Sequence, residues 1–524
     1  MRSRIRSKRG GEDRWLEIPA VGCVAAAWVL LLSGCSGDSD DSGGSGSEDQ
    51  PPIEFAPPPT SCEVPEPPAP LPSSAVVGDG TPDSCTEDAL RSALTEGGNV
   101  TFDCGDAAVT IPVTSEITVS NDAIIDGGGL VTLDGGGVTR ILHSQARVAL
   151  TVMGLAFQNG HATSVDGEEA SGGAIRSGWL AALNVFDCTF ADNVAAAEGI
   201  EGGGAIYQSS GGELVVVQST FTRNSAVSGG AIDNLLSGMS LINSTFVENE
   251  SFAGGGAVYD DGASEETDDE VGGTIDICGC HFEGNTSLGT GGAVYLWAYY
   301  PDRLIISQSS FVRNTATRPP EESALGGALR TGNAPLQLSN SLFQENHADV
   351  HGGAYWTRGN YPTSITNCTF YRNTAGVEGE EGGYGGALSG FNMQLLNLTF
   401  VENHAEWSGG AISAEEDQWT LQNSVFLDNT SNNPWEQSQT CTGEIPGGNN
   451  LQWPAPEEGD SPCSADLTLA DPLLGELSDN GGPTQTIPPL AGSPALGAGT
   501  DCPATDQRGE SRGDACDLGA FEAE

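Results

Sequence analysis

Two short motifs alternate through the middle of this chain, and they constrain its fold more than any other feature. One is Phe-x-x-Asn. It pairs Phe190 with Asn193, Phe221 with Asn224, Phe246 with Asn249, Phe282 with Asn285 and Phe311 with Asn314. It continues with Phe343 and Asn346, Phe370 and Asn373, Phe400 and Asn403, and Phe426 and Asn429. The other is Gly-Gly-Ala followed by an apolar or aromatic residue, starting at Gly172, Gly203, Gly229, Gly255, Gly291, Gly326, Gly352, Gly385 and Gly409. Each occurs nine times in strict alternation, with 25 to 36 residues from one Phe to the next. A degenerate copy sits at Phe157 and Asn159.

The shortest spacing decides the architecture. About 25 residues suffice for one coil of three short strands and three turns. The chain is therefore read as all-β, a right-handed parallel β-helix of about a dozen coils, a rod roughly 60 Å long. Surplus length collects at fixed points, residues 315–325 and 374–384 before the glycines and 260–273 after them, which marks loops on particular edges. Stacked Phe rings should build an internal aromatic column. The motif Asn is expected at a turn, in the left-handed conformation, with its amide bonded to the next Asn. The glycines should supply a tight turn and the Ala a narrow corner.

The ends differ from the middle. Residues 1–18 carry six basic side chains, and an apolar run follows from Val21 to Leu32. The run suits a signal peptide and is too short to span a bilayer comfortably. It ends Leu32-Ser33-Gly34-Cys35, which resembles the lipobox of bacterial lipoproteins. That resemblance implies removal of 1–34, a diacylglycerol on the Cys35 thiol, and a membrane partner reached through the lipid. Ser36, where inner-membrane lipoproteins tend to carry Asp, implies the outer membrane in a Gram-negative source. Residues 35–74 are rich in Ser, Gly, Asp, Glu and Pro and are expected to form a solvated tether. The β-helix is then expected over 75–430 and an irregular closing region over 431–524.

Thr86, followed by Glu87 and Asp88, reads as the N-cap of a short helix that plugs the open end of the coil stack, with Gly97 as its stop. The Gly-Gly-Ala-Ile and Phe-x-x-Asn pattern over roughly 150–430 resembles the repeats of the chlamydial polymorphic outer-membrane proteins, and this implies a surface-exposed β-helix with an adhesive role. Those proteins end in a membrane β-barrel, and this sequence shows none. The closing segments Asn480-Gly481-Gly482-Pro483-Thr484, Asp506-Gln507-Arg508-Gly509 and Cys516-Asp517-Leu518-Gly519-Ala520-Phe521-Glu522 resemble the terminal domain of bacterial surface proteins called choice-of-anchor Q.

Export permits disulfides. Local loop closures would join Cys85 to Cys104, Cys441 to Cys463 and Cys502 to Cys516. Cys188, Cys280 and Cys368 each lie two residues before a repeat Phe and read as buried thiols rather than metal ligands. Cys278-Gly279-Cys280 has no second pair to complete a metal site.

The net charge of −53 comes with a single lysine, Lys8, ahead of the expected cleavage point. The part from Cys35 onward holds 13 Arg and 69 Asp and Glu, a surface that repels nucleic acid. A polysaccharide lyase of the pectate-lyase-like group would need a base and cations beside it. Arg223, Arg313 and Arg372 share the position before the motif Asn, and they read as a basic stripe or as turn residues paired with carboxylates. A hydrolase would need two carboxylates, and acidic pairs are too common here to single one out. His347 and His351, four apart, lack the helix that makes such a pair a metal site. The acidic segments 265–270 and 415–417 offer oxygens of the kind Ca²⁺ takes, without matching a known loop. No other cofactor is implied, and no catalytic or metal-ligating set is assigned. Trp297, Tyr299, Tyr300, Trp356 and Trp407 offer either a glycan-stacking platform or loop packing. The sequence thus favours a non-enzymatic surface rod that binds a polysaccharide or another cell-surface ligand, with the lyase or hydrolase as the alternative.

Overall fold

The computed structural model describes Phe55 and residues 61–162, 170–196, 202–265, 272–318, 323–359, 361–415, 418–433, 437–456 and 460–523. The signal segment, Cys35, and the acidic residues 266–270 and 416–417 lie outside the described residues.

Strands stack only on their counterparts one coil away, and every such pairing is parallel. The result is a parallel β-helix of three faces: a 26-stranded sheet made of two strand columns, an 11-stranded sheet and an 8-stranded sheet. In each coil the Gly-Gly-Ala motif leads into the 11-stranded sheet, termed the second sheet below. The chain then makes the two columns of the first sheet, the second of which holds the motif Phe. The motif Asn follows and leads into the third sheet, the 8-stranded one. Among the described residues no helix is long and apolar enough to cross a membrane.

The repeat residues form the core. Rings from Phe157 to Phe426 stack face to face, with centroids 4.7–5.0 Å apart and planes within 12°, and none is exposed. This spacing is the strand separation itself. The Asn column is equally regular. The main-chain N–H and the Nδ2 group of Asn285 both donate to Oδ1 of Asn314, and Nδ2 also donates to the Phe246 carbonyl. The same three bonds recur from Asn193 to the rung that joins Asn403 to Asn429.

One expectation is corrected here. The motif Asn is not the left-handed residue. That conformation falls on the residue before it, as at Arg223 (φ 52°), Arg313 (53°), Glu345 (53°) and Arg372 (55°). The reason is that the left-handed residue turns the chain outward, so its own side chain faces solvent, and the Asn after it is carried inside. The two glycines act differently from one another. Gly229 is left-handed (φ 54°). Gly230 is not, but a β-carbon there would lie 2.1 Å from the Gly256 carbonyl oxygen in the next coil.

The helix Glu87–Leu94 caps the N-terminal end, with the Thr86 side chain accepting from Ala89 N–H and with Leu90 and Leu94 buried. Strand stacking continues past the last repeat: Asn450–Trp453 pairs with Val425–Leu427, and Leu467–Leu469 pairs with Asn450–Trp453.

The residues before Ser74 are not all free tether. Cys62 is disulfide-bonded to Cys278, 216 residues away in sequence, so Cys278 is neither a thiol nor half of a metal pair. Asn99 holds the other end of this segment, accepting from Leu71 N–H and donating to the Leu71 and Ser73 carbonyls. Strands 98–102, 123–134, 149–158, 182–186, 213–217, 238–242 and 274–278 stack between these two points. Residues 62–73 therefore run along the outside for roughly 30 Å at ~4.8 Å per strand. A proline-rich chain rising ~3.1 Å per residue covers that distance.

The C-terminal segment also folds back onto the rod. Asn367, Asn397 and Asn423, left-handed corner residues at the equivalent place in successive coils, donate to carbonyls of Thr505, Asp517, Gly519 and Thr500. Buried Asp506 ties this segment together, accepting from Arg508 Nε and from the N–H groups of Glu510 and Glu522. Disulfides join Cys85 to Cys104, Cys441 to Cys463 and Cys502 to Cys516. Cys188, Cys280 and Cys368 are free and buried, and burial pushes each thiol up to about 12.

Candidate functional site: the outer face of the second sheet

Along a strand, side chains alternate between the two faces of its sheet. In the second sheet Ile206, Ile232, Val258, Val294 and Leu329 point into the core. The next residue in each strand therefore points out. In register, these outward residues are His143, Arg176, Tyr207, Asp233, Tyr259, Tyr295, Arg330 and Trp356. They form one file at the coil spacing of about 4.8 Å.

The file is aromatic and cationic. Arg176 lies over the Tyr207 ring at 5.2 Å. Tyr259 meets Tyr295 edge-on at 5.1 Å. Arg330 is surrounded by three rings, Tyr295 at 4.4 Å, Trp356 at 5.2 Å and Trp297 at 5.9 Å. Its Nη1 donates to Thr290 Oγ1 at 2.8 Å. Trp297 belongs to the neighbouring outward file, beside Asp261. Asp261 accepts from the Tyr299 hydroxyl at 2.6 Å. Burial raises the Tyr259 phenol, so it stays a neutral hydrogen-bonding group. Arg176, Tyr207, Asp233 and Trp356 are buried within this file, and the half-buried Tyr259, Tyr295, Trp297 and Arg330 are the part of it that can meet a flat apolar sugar face or place a guanidinium against hydroxyls or carboxylates.

At the N-terminal end of this face sits a polar cluster. Glu116 accepts from Arg140 and lies 3.2 Å from His143 Nδ1. The His143 bond, against the opposing effect of burial and with Arg140 adding charge, holds the Glu116 carboxyl at about 2.

The structure sorts the candidates named from sequence. Trp297 and Trp356 come together around Arg330. Tyr300 instead stacks on Tyr361 at 4.9 Å. Trp407 lies elsewhere, 6.4 Å from Tyr384, and lines a separate cavity with Glu380, Glu381, Glu406 and Asn432. The arginines before the motif Asn are not a basic stripe. Arg223 pairs with Asp192, Arg313 with Glu283 and Arg372 with Glu402, and the edge they share also carries Glu248, Glu345 and Asp428. His347 and His351 do not converge: His347 bonds Thr374 and Asp349, whereas His351 stacks on Tyr384 at 5.1 Å. Burial lowers His351 to about 4. Among the described residues no group of three or more His, Cys, Asp or Glu side chains is placed to hold a metal.

Sequence reasoning missed Arg176, Tyr207, Asp233, Tyr259, Tyr295 and Arg330. A signal was present, because each follows Gly-Gly-Ala plus one apolar residue directly. The position was passed over because its residue type varies from coil to coil.

With the geometry in place, comparison adds one match. Residues 397–415 match the Chlamydia polymorphic membrane protein (Chlamydia_PMP) repeat. The matched stretch contains Phe400, Asn403 and Gly409-Gly410-Ala411-Ile412, one member each of the Phe stack, the Asn ladder and the glycine corners. No curated protein matches the chain.

Proposed function

We propose that this chain is an exported lipoprotein, held at the outer membrane by a lipid on Cys35. Its β-helix would be a surface rod that binds a glycan along the outer face of the second sheet without cleaving it. The observation that carries the binding reading is the file from Arg176 to Trp356, above all Arg330 enclosed by Tyr295, Trp297 and Trp356. Half-buried Tyr259, Tyr295 and Arg330 follow one another there in successive coils. The repeat match supports a surface role, since the named family is a membrane-protein family. Resemblance of the closing segments to choice-of-anchor Q domains fits a protein retained at the cell surface, and the docked C-terminal segment is the region concerned.

The test uses the compact unit from Ile53 onward on a panel of acidic and neutral polysaccharides, measuring both retention and release of new chain ends. Retention on one glycan without release is expected. Arg330→Ala should weaken it by about tenfold, the loss of one guanidinium hydrogen bond to the glycan worth ~1.5 kcal/mol. New chain ends from any polymer would replace the binding reading with a lyase or hydrolase. Cys35→Ser in the full chain should free the protein from the membrane fraction, and continued membrane association would overturn the lipid anchor.

A further inference from the structure

One further residue along each second-sheet strand, the side chains point inward again. In register these inward residues are Ser144, Ser177, Gln208, Asn234, Asp260 and Leu296. All six have no exposure. The first five are polar. Each of the five carries an oxygen with no hydrogen-bond partner: Ser144 Oγ, Ser177 Oγ, Gln208 Oε1, Asn234 Oδ1 and Asp260 Oδ2. Buried polar atoms are rarely left unpaired, and five in one file are not scatter.

The amide donors of the file are already taken. Gln208 Nε2 donates to the Ala181 and Ser209 carbonyls. Asn234 Nδ2 donates to the Ser237 carbonyl and to Asp260 Oδ1. The amide N–H groups are thus committed, and the amide oxygens are left facing inward beside a carboxylate. Three acceptors in adjacent coils have no hydrogen to share.

We propose that a cation lies inside the solenoid between two adjacent coils of this file, bound by Asn234 Oδ1 and Asp260 Oδ2, with Gln208 one coil further on. Adjacent coils about 4.8 Å apart leave ~2.4 Å to a point midway between these two oxygens. That distance suits a cation of sodium or calcium size and is too long for Mg²⁺, which takes oxygen at about 2.0–2.1 Å. Charge selects between the two. The donor set carries one negative charge, because Asp233 points to the other face, where its Oδ2 accepts from Ser228 and Gly202. A monovalent cation leaves the interior neutral, whereas a divalent one leaves it charged. Sodium is therefore assigned, with the hydroxyls of Ser144 and Ser177 continuing the polar file toward the N-terminal end. Without a countercharge, burial drives the Asp260 carboxyl toward its neutral form, and the nearby Asp261 and Asp302 push the same way.

The site is testable because the next coil shows how to remove it. Leu296 occupies the position equivalent to Asp260, so Asp260→Leu repeats a side chain the solenoid already accepts, and Asp260→Asn changes charge without changing shape. Unfolding of the wild-type protein and both variants would be followed while sodium chloride replaces choline chloride at constant ionic strength, with parallel series in potassium and calcium chloride. The wild type should gain up to tenfold in its folding equilibrium for each tenfold rise in sodium, and both variants should show no sodium dependence. Crystals grown with thallium(I) should show an anomalous peak beside Asp260 in the wild type alone. A gain in calcium but not sodium would overturn the charge assignment. Equal stability in sodium and choline, with no anomalous peak, would overturn the site and leave Asp260 as a neutral carboxyl.

Discussion

Adjacent residues Arg313 and Asn314 should respond in opposite ways to the same substitution, and the difference can be worked from the structure. Asn314 has no exposure and takes part in five hydrogen bonds of the ladder. Its Oδ1 accepts from Asn285 N–H and from Asn285 Nδ2, and its Nδ2 donates to the Phe282 carbonyl and to Asn346 Oδ1. Only the bond from its own main-chain N–H survives in Asn314→Ala. The variant leaves two buried donors of Asn285 without acceptors, each worth about 1–3 kcal/mol. A loss of about 4 kcal/mol is expected. Arg313→Ala keeps the left-handed backbone and removes an exposed pairing with Glu283, a loss under ~1 kcal/mol. Urea unfolding of both variants gives the comparison. Hydrogen exchange should place the damage in the coil of Asn285 and its neighbours, since solenoid stability is a sum of local and nearest-neighbour terms. If Asn314→Ala lies within ~1 kcal/mol of Arg313→Ala, or if protection is lost evenly along the rod, the ladder does not hold the coils together.

Three other outcomes follow from the same structure. Phe282→Ala should cost about 3–5 kcal/mol by opening a cavity between Phe246 and Phe311, measurable by the same unfolding curves, with Phe282→Leu losing less. Glu116 has its folded value lowered to about 2, so the stability it contributes is complete above the unfolded value of about 4.3 and is lost as pH falls toward 2. Glu116→Gln should therefore remove part of the acid sensitivity of exchange protection in the N-terminal coils, and an unchanged acid profile would count against the Arg140–Glu116–His143 cluster. His351, lowered to about 4 by burial, resists protonation when folded. Stability should fall as pH drops from about 6.5 to 4, and His351→Phe should flatten that part of the curve.

The core was legible in the sequence because its rules are periodic. A Phe every coil has nowhere to go but onto the next Phe, and a buried Asn column satisfies itself only when every coil supplies one. The left-handed position was misplaced by one residue because the sequence carries little trace of it: Asp192, Arg223, Glu248, Arg313 and Asp428 all occupy it, and their shared trait is an outward side chain. The second-sheet face was hidden for the opposite reason. Its backbone frame is the most regular part of the repeat, while the side chain it presents differs from coil to coil. Cys62 was invisible as a partner of Cys278 because nothing local couples residues 216 apart. That contact exists only once the solenoid has brought the Pro-rich segment alongside the strands of the first sheet.

The Cys62–Cys278 bond also changes how the molecule bears load. Were the chain free up to Ser74, tension on its N-terminal side would pull on the end strand Ser74–Val77, which among the described residues has a strand partner on one side only, Gly98–Phe102. Coils would then peel one at a time, each failing under a small force. With the bond in place, tension from beyond Cys62 enters the body at Cys278, in a strand held between neighbours on both sides, Gly238–Ile242 and Arg303–Ser307. To move that strand, several hydrogen bonds must shear together. The end coils and their capping helix are bypassed entirely, so the protein can be tugged from its N-terminal side without being unravelled from it.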